Sequence, residues 1–300
     1  YRRTLELKPN EASGWANYSG TFVNHGEPEK CIEYSDKALQ LDPKNVQAKH
    51  HRALALLELE KYETGFKAYE ARLDLPEFHR RKYDGQMWNG ERVKTLVVHG
   101  EQGLGDEVMF CSLIPRVKKM VDKVVIECNH RLITLFERSF GVKCYPGEKE
   151  IKENEKGDAW IAMGSLPRVL GIKSPIHHEG FLKADPELIK PYKGEGFRVG
   201  LSWRGGTKKT HEHLRNFEIE HWKKLLDHDF KWVSVQYGNT GTELQEMGLI
   251  DTGWNGQDMD KFAGLISACD LIITVCNSSV HFAGGLNKPC WVLVPNKPAW

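Results

Sequence analysis

The run Thr95-Leu96-Val97-Val98-His99, continuing into Gly100-Glu101-Gln102-Gly103-Leu104-Gly105-Asp106 and then an apolar stretch, decides the fold class. Five residues rich in β-branched side chains read as a buried strand, and the apolar run after Asp106 reads as a helix. The glycines between them allow a close backbone approach where strand passes into helix. A strand entering a helix through such a turn is half of a βαβ unit. Further runs of the same texture follow at Lys123 to Cys128, Ala159 to Met163, Arg198 to Trp203, Trp232 to Gln236, Leu271 to Val275 and Cys290 to Val294, with helical patterns between them. Short apolar strands alternating with helices predict parallel sheets of the α/β class. An interval from Asp185-Pro186 through Pro191 to Gly196 divides the strands into two groups, so two α/β lobes facing a cleft are expected.

Upstream of these strands the texture is helical and repetitive. Leu5-Glu6-Leu7-Lys8-Pro9 recurs as Leu39-Gln40-Leu41-Asp42-Pro43, 34 residues later, which is the tetratricopeptide period. Counted from Ala12, the residues Trp15, Ala38 and Pro43 fall on the consensus Trp, Ala and Pro positions, and the segment resembles tetratricopeptide repeats. The next copy, from Val46, keeps small or apolar residues at Ala53, Leu56 and Gly65. The competing interpretation is a plain amphipathic helical hairpin, which would not require matched prolines. Residues 1 to 8 read as the last turns of an earlier copy, so the array is expected to continue upstream. Such repeats bind a protein segment along a concave face.

Composition narrows the function classes. Lys and Arg number 42 against 41 Asp and Glu, a formal charge of +1, so no global field draws the chain to nucleic acid or anionic lipid. No apolar run approaches the roughly 18 residues that span a bilayer. The seven cysteines are scattered and include no CxxC pair, which reads as reduced thiols in a cytoplasmic protein and not as a zinc site or disulfide frame. His211-Glu212-His213, in a Lys-rich loop without further ligands, reads as solvated, so no metal is expected.

Two stretches carry candidate chemistry. In the first, Gly103 and Gly105 bring backbone close to a ligand and Asp106 offers a carboxylate at a helix start. The bland interpretation is a tight turn with Asp106 as a cap; a dinucleotide site is disfavoured because the spacing is not GxGxxG. In the second, Asp270-Leu271-Ile272-Ile273-Thr274-Val275 runs into Cys276-Asn277-Ser278-Ser279-Val280-His281. A helix start of this composition can hold a diphosphate through free N–H groups, hydroxyls and the favourable end of its dipole. It can equally be a capped helix with a half-buried histidine. Trp203 is counted with the cleft candidates, although core packing is the commoner role for it and for Trp254. Lys208, Lys209, His211, His213 and Arg215 form a local positive loop.

Three ordered motifs resemble glycosyltransferase family 9, the heptosyltransferase-like group, including members preceded by tetratricopeptide repeats. They are Trp88-Asn89-Gly90-Glu91 with Glu101 to Asp106; Val199-Gly200-Leu201-Ser202-Trp203-Arg204-Gly205 followed by Arg215; and His281-Phe282-Ala283-Gly284 with Lys288-Pro289-Cys290-Trp291. The resemblance implies a GT-B fold of two Rossmann-like lobes and inverting, metal-independent transfer from a nucleotide-diphosphate sugar. It places Asp106 as catalytic base, Arg215 on the donor phosphates, and Asn277, Ser278, Ser279 and His281 at the donor turn, with no cofactor beyond the donor itself.

The expected organisation is therefore a partial repeat array over 1–75, a linker over 76–92, an acceptor-side lobe over 93–190, and a donor-side lobe over 191–300 whose relatives continue further. Where the family shows Asp-Thr at the donor turn, this chain has Cys276-Asn277. That departure motivates the alternative of a non-catalytic protein that keeps the fold but has lost donor chemistry. A sugar-nucleotide epimerase ranks below both, because such enzymes ring the sugar with acidic residues and only Asp106 sits convincingly in a motif. The expected partners are a nucleotide sugar, an acceptor protein or glycan, and a protein bound by the repeats. Neither nucleic acid nor a membrane span is expected.

Overall fold

The computed structural model describes residues 1–23, 25–78, 81, 83, 85–177, 179–206 and 216–295. The chain opens with helices α1 (Arg2–Leu7), α2 (Ala12–Val23), α3 (Pro28–Leu41), α4 (Val46–Glu58) and α5 (Tyr62–Tyr69). There follow β1 (Gln86–Met87), β2 (Thr95–His99), α6 (Leu104–Cys111), α7 (Ile114–Val117), β3 (Lys123–Glu127), α8 (Ile133–Phe140), β4 (Lys143–Tyr145), β5 (Ala159–Ala162), α9 (Leu166–Val169) and α10 (Pro186–Ile189). The last third comprises β6 (Arg198–Ser202), α11 (Ile219–Leu226), β7 (Lys231–Ser234), α12 (Glu243–Glu246), α13 (Met259–Ser267), β8 (Leu271–Val275), α14 (Ser278–Gly285) and β9 (Cys290–Leu293).

These elements form two compact units. The first holds 1–82 with 164–176 and Pro295, and the second holds 83–163 with 177–294. In the helical unit α2 and α4 begin 34 residues apart, as do α3 and α5, so the sequence offset is an offset of helix starts. Alanines at 16, 38 and 48 are buried where α2, α3 and α4 meet, and their small size lets the backbones approach. Asn45 caps α4 by accepting the N–H of Ala48 at 2.9 Å, and Pro28 begins α3 where its missing N–H costs nothing. Segment 164–176 belongs to this unit. Buried Arg72 donates to the carbonyl of Tyr69, to Glu70 and to Ser165, while Arg168 pairs with Glu70 at 3.0 Å.

The second unit contains two parallel sheets, ordered β1-β5-β2-β3-β4 and β7-β6-β8-β9. All five residues of β2 are buried, as a central parallel strand covered on both faces requires. In the second sheet Val199, Leu201, Trp203, Trp222, Trp232, Met247, Leu249, Ile273 and Val275 form one core. The seven strands expected from sequence all occur, shifted or shortened by one or two residues at some ends. Two that were missed, β1 and β4, are the short edges of the first sheet.

Two expected boundaries need correction. The stretch 76–92 is not all linker, since Gln86 and Met87 pair with Ala159 and Trp160 and Trp88 is buried. Nor is 93–190 a single lobe, because 164–176 packs with the helical unit. Among the described residues no helix is long and apolar enough to cross a membrane, and all seven cysteines are free thiols.

Candidate functional site

Parallel strands deliver their carboxyl ends to one edge of each sheet, and the helices that follow begin there. At the end of β2 the chain turns through Gly100–Gly103 into α6. Asp106, in the first turn, accepts the N–H of Gly103 at 2.9 Å, which satisfies a donor the helix start would otherwise leave open. Burial pushes the Asp106 carboxyl above its ordinary value; the Gly103 N–H and the charge of His281 pull it partly back, and Glu101 pushes it up.

At the end of β8 the chain enters α14 through Asn277. The Asn277 amide has every hydrogen-bonding place filled. Its Oδ1 accepts from the Ser279 N–H at 2.8 Å and the Thr274 hydroxyl at 3.2 Å, and its Nδ2 donates to Ser202 Oγ at 2.8 Å and the Arg204 carbonyl at 3.1 Å. Ser279 is fully buried, its hydroxyl without a partner among the described residues. Of the expected donor residues on this turn, only Ser278 and His281 remain half-buried with side chains free of a structural bond among the described residues. Cys276 donates its thiol to the Leu293 carbonyl at 3.7 Å.

The segment after β6 is gripped from the other side by Gln236, a buried residue that the sequence did not single out. Its Oε1 accepts from Ser202 Oγ and from the N–H groups of Trp203 and Arg204 at 2.9–3.1 Å. Gly205 donates to Asn216 at 2.9 Å. A β-carbon at Gly205 would lie 2.9 Å from Cβ of Asn277 and 3.0 Å from the Cys276 carbonyl, so glycine is required by close approach. Trp203, counted with the cleft candidates, is corrected to a core residue. It is fully buried, and its indole N–H donates to Glu243, which also pairs with Arg204 at 2.9 Å. Trp254 stacks on Phe262 at 4.1 Å. Arg215, with Lys208, Lys209, His211 and His213, lies outside the described residues.

The two helix starts meet at Gly105. A β-carbon there would lie 3.1 Å from Cδ2 of His281 and 3.5 Å from Cα and Cβ of Ser278. Gly103, Gly105, Asp106, Ser278 and His281 are thereby brought together, whereas Asn277, Ser279 and Trp203 serve the fold. Gly105→Ala is expected to be nearly neutral in stability, because the better helix propensity of alanine offsets a small displacement of His281. Gly105→Val adds volume that the contact cannot accept, and a loss of about 1–3 kcal/mol is expected by urea unfolding.

Acidic residues are more numerous here than the sequence suggested. Glu101, Glu107 and Glu127 are all buried near the ends of β2 and β3. Glu107 accepts the N–H of Asn129 at 2.8 Å, and Glu127 accepts the Tyr83 hydroxyl. Glu101 lies in the turn after β2 and Glu127 ends β3, whereas Glu107 lies within α6, so no fixed spacing advertises the three together. Arg138, at the end of α8, ties the two halves of this unit through both carboxylate oxygens of Asp260. Among the described residues no cluster of His, Cys, Asp and Glu has the makings of a metal site.

No protein-family profile matches the chain. Protein FlbA of Caulobacter vibrioides is 26% identical over 97% of the chain, which spans 61% of that protein's length. Among solved structures, the iron-containing dodecameric glycosyltransferase TibC of enterotoxigenic E. coli is similar at a TM-score of 0.46 and 10% identity, covering 67% of this chain and 58% of that one. A family 9 glycosyl transferase from Veillonella parvula gives 0.46 and 10% over 72% and 86%. ADP-heptose lps heptosyltransferase II of E. coli gives 0.45 and 15% over 66% and 84% of the respective chains.

Proposed function

We propose that this chain is a glycosyltransferase that moves a sugar from a nucleotide-diphosphate donor to an acceptor hydroxyl, with inversion and without a metal. The observation that carries this assignment is the meeting of the first turn of α6, at Gly105 beside Asp106, with the first turn of α14 at the carboxyl ends of two parallel sheets. The Asp106 carboxylate takes the proton of the acceptor hydroxyl as that oxygen attacks the anomeric carbon. Burial raises the proton affinity of this carboxyl above that of an ordinary aspartate, which strengthens it as a general base. The departing diphosphate is received by the N-terminus of α14 with Ser278 beside it, and Arg215 supplies the positive charge. Family motifs in three ordered places support a GT-B arrangement and a hexosyl- or heptosyltransferase-like activity.

The 34-residue recurrence of helix starts supports tetratricopeptide repeats in the helical unit, which we assign to binding the acceptor or a partner protein. Seven free thiols support a cytoplasmic setting.

A second reading has one observation in its favour. With Cys276 bound to the Leu293 carbonyl and the Asn277 amide saturated, the turn lacks the carboxylate that the family places there. A non-catalytic binding protein would share this geometry. Calorimetric titration of the full-length protein with a panel of nucleotide-diphosphate sugars separates the two. Saturable binding of a donor, followed by release of its nucleoside diphosphate with an acceptor present, is the expected result; no binding by any donor would favour the second reading.

A further inference from the structure

The backbone just beyond β6 is held from two sides at Arg204. Its N–H donates to Gln236 Oε1 at 2.9 Å, and its carbonyl accepts from Asn277 Nδ2 at 3.1 Å. The next residue, Gly205, lies so close to Asn277 that a β-carbon there would not fit. Asn277 caps α14, so the arginine is rooted beside the first turn of that helix. We infer that Arg204 is a donor-binding residue whose guanidinium takes the diphosphate that α14 receives, in competition with the carboxylate of Glu243. The inference rests on the transferase reading and adds to it a cation that the fold itself fixes.

The guanidinium is only partly engaged. Nη2 donates to the Asn239 carbonyl at 2.8 Å and pairs with Glu243 at 2.9 Å, while the N–H of Nε is buried without a partner among the described residues. Nη1 likewise makes no hydrogen bond to a described residue. A buried N–H left open costs free energy that an oxygen-rich anion recovers. Arg168 and Arg198 also leave Nε open, but the first belongs to the helical unit and the second begins β6, at the end remote from α14. Trp203 underlies the guanidinium, with its ring centroid 6.0 Å from Cζ, and its indole N–H donates at 3.2 Å to the same Glu243 oxygen that pairs with Arg204. An ordinary surface ion pair needs neither this double grip on its backbone nor an open Nε.

Arginine suits a diphosphate because its planar fork presents paired N–H groups to phosphate oxygens. Glu243 opposes such a ligand, since two anions beside one cation repel each other. Both side chains of the pair are half-buried, 34% and 26% exposed, so the bond between them is weak enough to exchange for a phosphate. Glu243 thereby sets how tightly the nucleoside diphosphate product is held, and its return to Arg204 favours release.

The full chain, as wild type, Arg204→Gln, Arg204→Lys and Glu243→Gln, is titrated calorimetrically with UDP, ADP, GDP and CDP, with urea midpoints on the same samples. Arg204→Gln is expected to weaken the nucleoside diphosphate that wild type binds by about 10–100-fold, the loss of charge-assisted hydrogen bonds, and Arg204→Lys to recover part of that loss. Glu243→Gln keeps an oxygen for the Trp203 indole but removes the competing charge, and is expected to tighten binding by about two- to fivefold. A pair that merely braced the fold would lower the urea midpoint in both variants and would not move affinity in opposite directions. Equal affinity in wild type and Arg204→Gln overturns the inference and leaves the transferase reading standing. Unchanged or weaker binding by Glu243→Gln overturns it as well, and decides the matter where Arg204→Gln does not fold. Failure of wild type to bind any nucleoside diphosphate overturns both the inference and the reading it rests on.

Discussion

Asp106→Asn is expected to lower transfer by about 10²–10⁴-fold, the range that a positioned general base supplies, while donor affinity changes little. Asparagine keeps the oxygen that accepts the Gly103 N–H, so the first turn of α6 is preserved and the variant removes only the proton acceptor. Stability should move in the opposite sense. Because burial raises the folded-state value of Asp106, the folded protein favours the protonated form. The associated stability is present below the unfolded value near 3.9 and is lost as pH rises through the raised folded value. At neutral pH the neutral asparagine is therefore expected to leave the protein at least as stable as wild type. Initial rates by nucleoside diphosphate release, with urea midpoints on the same samples, check both halves. An inactive variant that is also strongly destabilised would point to a capping role for Asp106 and not to catalysis.

The second large effect falls on stability. Asn277→Ala is expected to cost about 2–4 kcal/mol, the loss of a helix cap together with a carbonyl left unpaired. The amide joins β8, α14 and the segment after β6 in one residue, through Ser279, Thr274, Ser202 and Arg204. Asn277→Asp is informative beside it. A carboxylate retains the cap but cannot donate to the Arg204 carbonyl, so an intermediate loss of about 1–3 kcal/mol is expected. Were Asn277 chiefly a donor ligand, both variants would weaken nucleotide-sugar binding at unchanged urea midpoint. The clamp account expects the midpoint to move first.

Much of the fold was legible because its signals are local. The run Thr95 to His99 and its counterparts are largely apolar on both faces, the texture that strands buried in parallel sheets keep. The copy starts read at Ala12 and Val46, 34 residues apart, are the starts of α2 and α4. β1 and β4 were illegible because edge strands of two and three residues carry no apolar run and owe their pairing to β5 and β3. Within the candidate site, types were legible but commitments were not. Asn277, Ser278 and Ser279 look alike as polar residues at a helix start, yet one is saturated, one faces α6 and one is buried. That distinction depends on Ser202, Arg204 and Gly105, which lie about 70 or more residues away along the chain. Gln236 was missed for the same reason, since a lone glutamine after a strand becomes informative only when three donors converge on its oxygen.

The most direct test of the transferase account is a crystal structure of the protein saturated with a nucleotide-diphosphate sugar or its nucleoside diphosphate. The account predicts the diphosphate at the N-terminus of α14, beside Ser278, with the sugar directed toward Asp106. A nucleotide seated away from α14, or a cleft that stays empty at saturating concentration, would contradict it.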